Sequence, residues 1–147
     1  MDLILWRHAD AEDGIPDEGR KLTAKGEKQA RRVAKWLEQR LPDDTRVLVS
    51  PAKRAQQTAK ALTKDFETRP EVGPATVPAA LLEAAGWPDR GGTVLIVGHQ
   101  PVVGQAVAVL LTGEARDWAF KKGAFWWLSG RGRGEVVVRA AMAPDLA

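Results

Sequence analysis

The chain contains no cysteine. Disulfides, thiolate nucleophiles and cysteine-based zinc sites are therefore excluded, although this absence by itself identifies no compartment. Histidine is scarce as well: His8 and His99 are the only two, and two histidines without a dense cluster of acids make a poor catalytic metal site. No metal and no cofactor is expected. Long apolar runs are also missing. Val94 to Val97 and Ala106 to Leu111 are among the longest, far short of the roughly 20 residues of a membrane-spanning helix. The opening Met1-Asp2-Leu3-Ile4-Leu5-Trp6-Arg7 holds too few apolar residues for a secretion signal, so a cytoplasmic protein without a membrane partner is expected. No basic stretch is interleaved with stacking aromatics, and the net charge of +3 is a mild excess that favours acidic or phosphorylated partners, not nucleic acid. Repeats, low-complexity tracts and linkers rich in Pro, Gly or Ser are absent.

What is present suits one folded domain over 1–147. Hydrophobic residues make up 44% and charged residues 28% of the 147, enough to bury a core without covalent staples. The recurring unit is an apolar strand that leads into a helix. Leu3 to Trp6 reads as a buried strand ending in Arg7-His8. After a polar loop, Thr23 is an N-cap, and Ala30, Val33, Ala34, Leu37 and Leu41 recur at helical spacing opposite Lys25, Lys28, Arg32 and Lys35. Arg46 to Val49 is a second strand, and Ser50-Pro51 places a capping hydroxyl and a first-turn proline before a helix with Ala55, Ala59 and Leu62 on its apolar face. A weaker strand is expected over Thr68 to Val72, then a short helix from Pro78 to Gly86. Thr93 to Gly98 is the clearest strand; it ends in His99 and leads through Pro101, as first helical residue, into a helix closed by Gly113. Ala124 to Ser129 and Glu135 to Arg139 read as an antiparallel hairpin at one sheet edge.

Strands alternating with helices predict an α/β domain of three layers, with a mostly parallel central sheet and helices on both faces. Ligands of such sheets sit beyond the carboxyl ends of the strands. Three strand ends here carry Arg7-His8, Ser50 with Arg54, and His99. A lone histidine at a strand end is ordinarily a hydrogen-bonded structural residue. Here both histidines share one sheet edge with two arginines, which is what a tetrahedral dianion requires: forked guanidinium donors from several sides and a nucleophile in line with the leaving atom. Helix starts near Pro51 and Pro101 add free N–H groups and partial positive charge. A neutral imidazole can attack phosphorus, and nearby arginines, with a protonated His99, would hold His8 neutral. Charge alone does not decide between His8 and His99 as nucleophile.

The order of these motifs resembles the histidine phosphatase superfamily. Its signature of Arg-His-Gly after the first strand reads Arg7-His8-Ala9 here; Leu22-Thr23-x-x-Gly26-x-x-Gln29-Ala30, Ser50-Pro51-x-x-Arg54-Ala55-x-x-Thr58 and Gly98-His99 follow in the family's order. The resemblance covers roughly residues 2 to 110 and implies His8 as nucleophile, with Arg7, Arg54 and His99 completing the phosphate pocket. It implies a phosphohydrolase that works through a covalent phosphohistidine without metal. Two departures stand out: Ala9 replaces the glycine, and Pro74 falls where larger members carry an acidic proton donor, with Glu71 and Glu83 nearby. The small SixA-type phosphohistidine phosphatases are similar in both the alanine and the short length.

A missing acid is chemically tolerable when the leaving group is an imidazole, which departs far more readily than an alkoxide. The segment between Val72 and Thr93 is too short for a helical lid, so phosphohistidine on a protein is the expected substrate. Two alternatives stay open at this level: a small-molecule phosphomonoesterase of the same superfamily, and a phosphate-binding module without turnover. The loop acids Asp10, Glu12, Asp17 and Glu18 are solvated or serve as donors. Of six tryptophans, Trp6, Trp36, Trp126 and Trp127 are expected in the core, and Trp87 and Trp118 on a docking surface.

Overall fold

Alternate residues of each apolar run enter two separate cores, as the pleat of a strand demands. In the computed structural model, which describes residues 1–147, the runs form β1 (Asp2–Arg7), β2 (Arg46–Val49) and β4 (Thr93–Gly98), with β3 (Glu67–Thr68) at one edge. Leu3, Leu5, Leu48, Val94 and Ile96 point into one core, which is closed by Leu81 and Ala85 of α3 (Pro78–Ala85) and by Val103, Ala106 and Val107 of α4 (Val102–Thr112). Their neighbours Ile4, Trp6, Val47, Val49, Leu95 and Val97 point into the other, against Val33, Ala34 and Leu37 of α1 (Ala24–Glu38) and Ala55 and Ala59 of α2 (Lys53–Lys60). These two buried faces are why the strands read as continuous apolar runs. The result is a single α/β domain with helices on both faces of one sheet.

The sheet has six strands in the order β3-β2-β4-β1-β5-β6. The first four run parallel; β5 (Phe125–Gly130) lies antiparallel against β1, and β6 (Val136–Met142) antiparallel against β5. No lid subdomain is inserted. In the β1–β4 register Arg7 stands opposite Gly98, and in the β2–β4 register Val49 stands opposite Val97. The residues that follow, His8, His99 and Ser50, therefore emerge side by side from three adjacent strands. No helix is long and apolar enough to cross a membrane.

Local chemistry sets most boundaries. Thr23 caps α1 by accepting the Gly26 N–H at 3.0 Å, and Gly86 and Gly113 close α3 and α4 in left-handed conformations, at φ 75° and 84°. Four expectations need correction. The strand expected over Thr68 to Val72 stops at Thr68, and Pro70–Val72 form a 3₁₀ turn, because Pro70 has no N–H to continue a ladder. The helix after Ser50-Pro51 starts two residues late, at Lys53, since Ser50 uses its hydroxyl to accept the Ala52 N–H in a local turn. Pro101 is the cap of α4, one residue before its first turn. Trp87 and Trp118, expected on a docking surface, pack half-buried against the first core, with Trp118 against Trp126 at 6.2 Å between ring centroids, so only part of each ring is exposed.

Candidate active site

At the carboxyl ends of β1, β4 and β2, main-chain bonds fix two of the three residues that leave the sheet. The His8 N–H donates to the Gly98 carbonyl at 3.0 Å and the Ser50 N–H to the Val97 carbonyl at 3.2 Å. His8, Arg54 and His99 are 7%, 4% and 3% exposed. Their rings and guanidinium meet: Arg54 donates from Nε to His8 Nε2 at 3.3 Å, its Nη2 stands 3.3 Å from His99 Nδ1, and the two ring centroids are 5.1 Å apart. Arg54 reaches this position from the first turn of α2, where a side chain leans toward the helix start. Arg7 is half-buried at the end of β1 and donates from Nη1 to the Phe120 carbonyl at 2.6 Å, while its Nε is buried with no partner.

These contacts define the tautomers. The Ala9 carbonyl, 2.8 Å from His8 Nδ1, can only accept, so Nδ1 carries the proton and Nε2 keeps its lone pair toward Arg54. On His99 the donor Arg54 requires a lone pair at Nδ1, so Nε2 carries the proton and donates to Ser50 Oγ at 2.7 Å. Burial, followed by the guanidiniums of Arg54 and Arg7, lowers the pKa of His8 to about 4, against the opposing pull of the Ala9 hydrogen bond. Burial first, then His8 and Arg54, lowers that of His99 to about 3, with Asp17 opposing. The sequence suggested a protonated His99; as the side chains stand it is neutral, because a buried imidazolium would face Arg54 directly.

Several neighbours carry the geometry without having stood out in the sequence. Thr58 Oγ1 accepts the Ala9 N–H at 3.1 Å and donates to the Arg54 carbonyl at 2.7 Å, tying the turn after His8 to α2. Asp17 places a carboxylate oxygen 3.1 Å from Arg54 Nη2 and accepts from Arg54 Nη1 through its main-chain carbonyl at 2.9 Å. Only its place among four loop acids hinted at this. Hydrogen bonds from Arg20 and then Arg54 hold the Asp17 carboxyl below the usual carboxylate range, so it is ionised near neutrality and poorly suited to donate a proton. Glu71 is engaged by Arg69 at 2.7 Å and Glu83 makes no contact with the two histidines. No group of three or more acidic or histidine side chains stands together in a metal-binding cluster.

Ala9 causes no strain. The only non-glycine residue with positive φ is Arg133, and the Ala9 methyl is fully buried against Leu22 and Ala30. Gly26 is the glycine that the site needs: a Cβ there would lie 1.9 Å from the Asp10 carbonyl oxygen, so only glycine lets the start of α1 press against the loop that follows His8.

Known proteins resemble the chain over most of its length. Over 124 residues the chain is 36% identical to the phosphohistidine phosphatase SixA of Escherichia coli, covering 78% of this chain and 76% of that protein. It is 35% identical to a SixA homologue of Haemophilus influenzae over 126 residues, 75% of this chain and 77% of that one. A solved structure of the protein histidine phosphatase SixA complexed with tungstate superposes with a TM-score of 0.85 at 30% identity, over 100% of both chains. Residues 3–76 match the family model described as histidine phosphatase superfamily (branch 1), and with relatives at this identity and coverage the chain belongs to that superfamily.

Proposed function

We propose that this chain is a metal-independent phosphatase that removes the phosphoryl group from phosphohistidine on a protein, with His8 as nucleophile and Arg7, Arg54 and His99 as the phosphate pocket. The observation that carries the reading is the Arg54 guanidinium shared between the two histidine lone pairs, at 3.3 Å to each ring. Two guanidiniums are drawn out of water here, one carboxylate offsets them, and Arg7 Nε is a buried donor with no acceptor. An oxyanion would supply the missing acceptors. The 3.3 Å contacts are long for hydrogen bonds, so phosphoryl oxygens, which are stronger acceptors, would take Arg54 from the rings.

In the first step the Nε2 lone pair of His8 forms a bond to phosphorus as the phosphorus–nitrogen bond of the substrate breaks. The electron pair leaves with the substrate imidazole, which departs neutral when its other nitrogen is protonated. No general acid is then needed, which fits a site whose nearest carboxylate, Asp17, is ionised. Phosphorylated His8 retains its Nδ1 proton through Ala9, so it is itself a protonated leaving group when water attacks phosphorus in the second step. His99, protonated as the dianion arrives, would donate to a phosphoryl oxygen from Nδ1.

The same reading takes a phosphorylated signalling or phosphotransfer protein as partner, in the cytoplasm, and the absence of a lid leaves room for it. A phosphohistidine peptide, mixed with the protein and quenched rapidly, is expected to leave an acid-labile, alkali-stable phosphoryl group on His8. His8→Ala should abolish it, and a chelator should not change the rate. An aryl phosphate turned over as fast as the peptide would favour a general phosphomonoesterase instead, and tight oxyanion binding with no turnover of any phosphoramidate would reduce the protein to a binding module.

A further inference from the structure

The basic stripe on α1 has no part in the chemistry above. Lys25, Lys28 and Arg32 from this stripe, together with Gln29, Lys121 and Lys122, line a surface cleft of about 520 Å³. A charged helix face is ordinarily laced with internal ion pairs, but Lys25, Lys28, Arg32 and Lys121 pair with no acidic side chain. Arg32 donates to the Asp145 carbonyl at 3.3 Å and to the terminal oxygen of Ala147 at 3.0 Å, and Asp145 is the one acidic side chain on the lining. Like charges three and four positions apart on a helix repel, and Lys121 adds another unpaired one from across the cleft, beside Lys122, which Asp10 holds at 2.9 Å. Such a cluster attracts an anion.

The cleft is joined to the catalytic edge. Lys122 pairs with Asp10 at 2.9 Å, Gln29 accepts the Asp10 N–H at 2.9 Å, and the neighbouring Gly123 N–H donates to the His8 carbonyl at 3.0 Å. Two residues of chain, roughly 7 Å, separate Asp10 from His8. The cleft thus begins within two residues of His8, within reach of residues adjoining a phosphohistidine bound there.

We propose that the cleft is a docking site for an acidic segment flanking the phosphohistidine of a protein substrate, so that charge selects the partner while the pocket performs the chemistry. This rests on the phosphohistidine reading given above and adds a selectivity determinant to it. Nucleic acid is the less favoured anion because the lining holds no aromatic side chain on which a base could stack.

The test uses two synthetic peptides with one central histidine, flanked on both sides by glutamates in one and by glutamines in the other. Fluorescence anisotropy with the unphosphorylated peptides at low salt should give the glutamate peptide about tenfold tighter binding, lost as salt is raised. Lys25→Glu/Lys28→Glu should erase that preference, and a lysine-flanked peptide should bind the variant better than the native protein. Glutamate near a helix start favours the helix, and unchanged turnover of phosphoramidate by the variant will show that it is folded and active. Equal affinity for both peptides, an unaltered preference in the variant, or tighter binding of single-stranded DNA than of the glutamate peptide would overturn the docking site. Phosphoramidate turnover by the native protein judges the chemistry separately, so that either proposal can fail without the other.

Discussion

Arg54 Nε donates to His8 Nε2 at 3.3 Å, so the helix after β2 controls the lone pair of the histidine after β1. The same guanidinium reaches His99 Nδ1, Asp17 Oδ2 and the Asp17 carbonyl. A planar fork can hold four such directions at once, whereas an ammonium is a single point on a flexible stem. Arg54→Lys is therefore expected to fare little better than Arg54→Ala. Each should lower kcat/KM for a phosphohistidine peptide by about a hundredfold to a thousandfold. A lysine variant within tenfold of the native rate would show that charge, not shape, is what the site requires.

Acid should destabilise the fold through its two histidines. Their folded pKa values are about 4 and about 3, below the ordinary value of about 6.5 that the unfolded chain retains. The unfolded chain binds protons first, so stability declines as pH falls from about 7.5 through the unfolded value to about pH 4, with His99 contributing down to about pH 3; above about 7.5 neither ring contributes appreciable slope. Urea unfolding at pH 7.5 and pH 5 measures this window, which lies above the range of the depressed carboxyls. A His8→Asn/His99→Asn variant should lose most of the pH dependence. An unchanged slope would mean that the rings are already solvated in the native state.

Much of this was legible because parallel strands send their carboxyl ends to one edge. Three apolar runs that end in Arg7-His8, Ser50 and His99 were enough to gather the pocket, and the period-two alternation of Leu3, Ile4, Leu5 and Trp6 follows from the two cores. Contacts that depend on a loop path were not legible. Asp17 lies among four loop acids of similar appearance, and nothing local distinguishes the one that turns back onto Arg54. Thr58 and Gly26 stood in the sequence as motif letters; their reasons, a hydroxyl shared by two main chains and a helix pressed on the Asp10 carbonyl, exist only in three dimensions. The neutral His99 was missed because burial depth is not a property of sequence.

Oxyanion binding should take up a proton. With its pKa near 3, His99 is neutral at pH 6.5; a dianion beside Nδ1 favours the charged ring and raises that value. Calorimetric titration with tungstate at pH 6.5, in buffers of different ionisation enthalpy, should show uptake of about one proton. His99→Gln should remove it. Ser50→Ala, which deletes the acceptor of the His99 Nε2 proton at 2.7 Å, should keep the uptake but weaken binding by about tenfold, the worth of one well-made hydrogen bond. Native binding with no proton uptake would contradict the protonation of His99 by the arriving dianion.

Gly26→Ala tests whether the packing of α1 positions His8, the proposed nucleophile. The added methyl would stand 1.9 Å from the Asp10 carbonyl oxygen and 3.0 Å from the Asp10 nitrogen. Backbone cannot yield as a side-chain tip would, so either α1 or the turn after His8 must shift. The Asp10 N–H bond to Gln29 and the Lys122 ion pair would be strained together with it. Overpacking of this kind costs about 1–3 kcal/mol, and a displaced loop should lower kcat in addition, because His8 Nδ1 is oriented by the carbonyl of Ala9, one residue earlier. Gly19→Ala is the control, since its methyl would meet only the Pro16 ring, Cγ at 3.6 Å and Cδ at 3.9 Å; it should change stability by less than about 0.5 kcal/mol. Thermal melts and phosphoramidate turnover on both variants decide it: a Gly26→Ala protein as stable and as active as the native one would show that the contact between α1 and the loop is loose, and that His8 is held by the sheet alone.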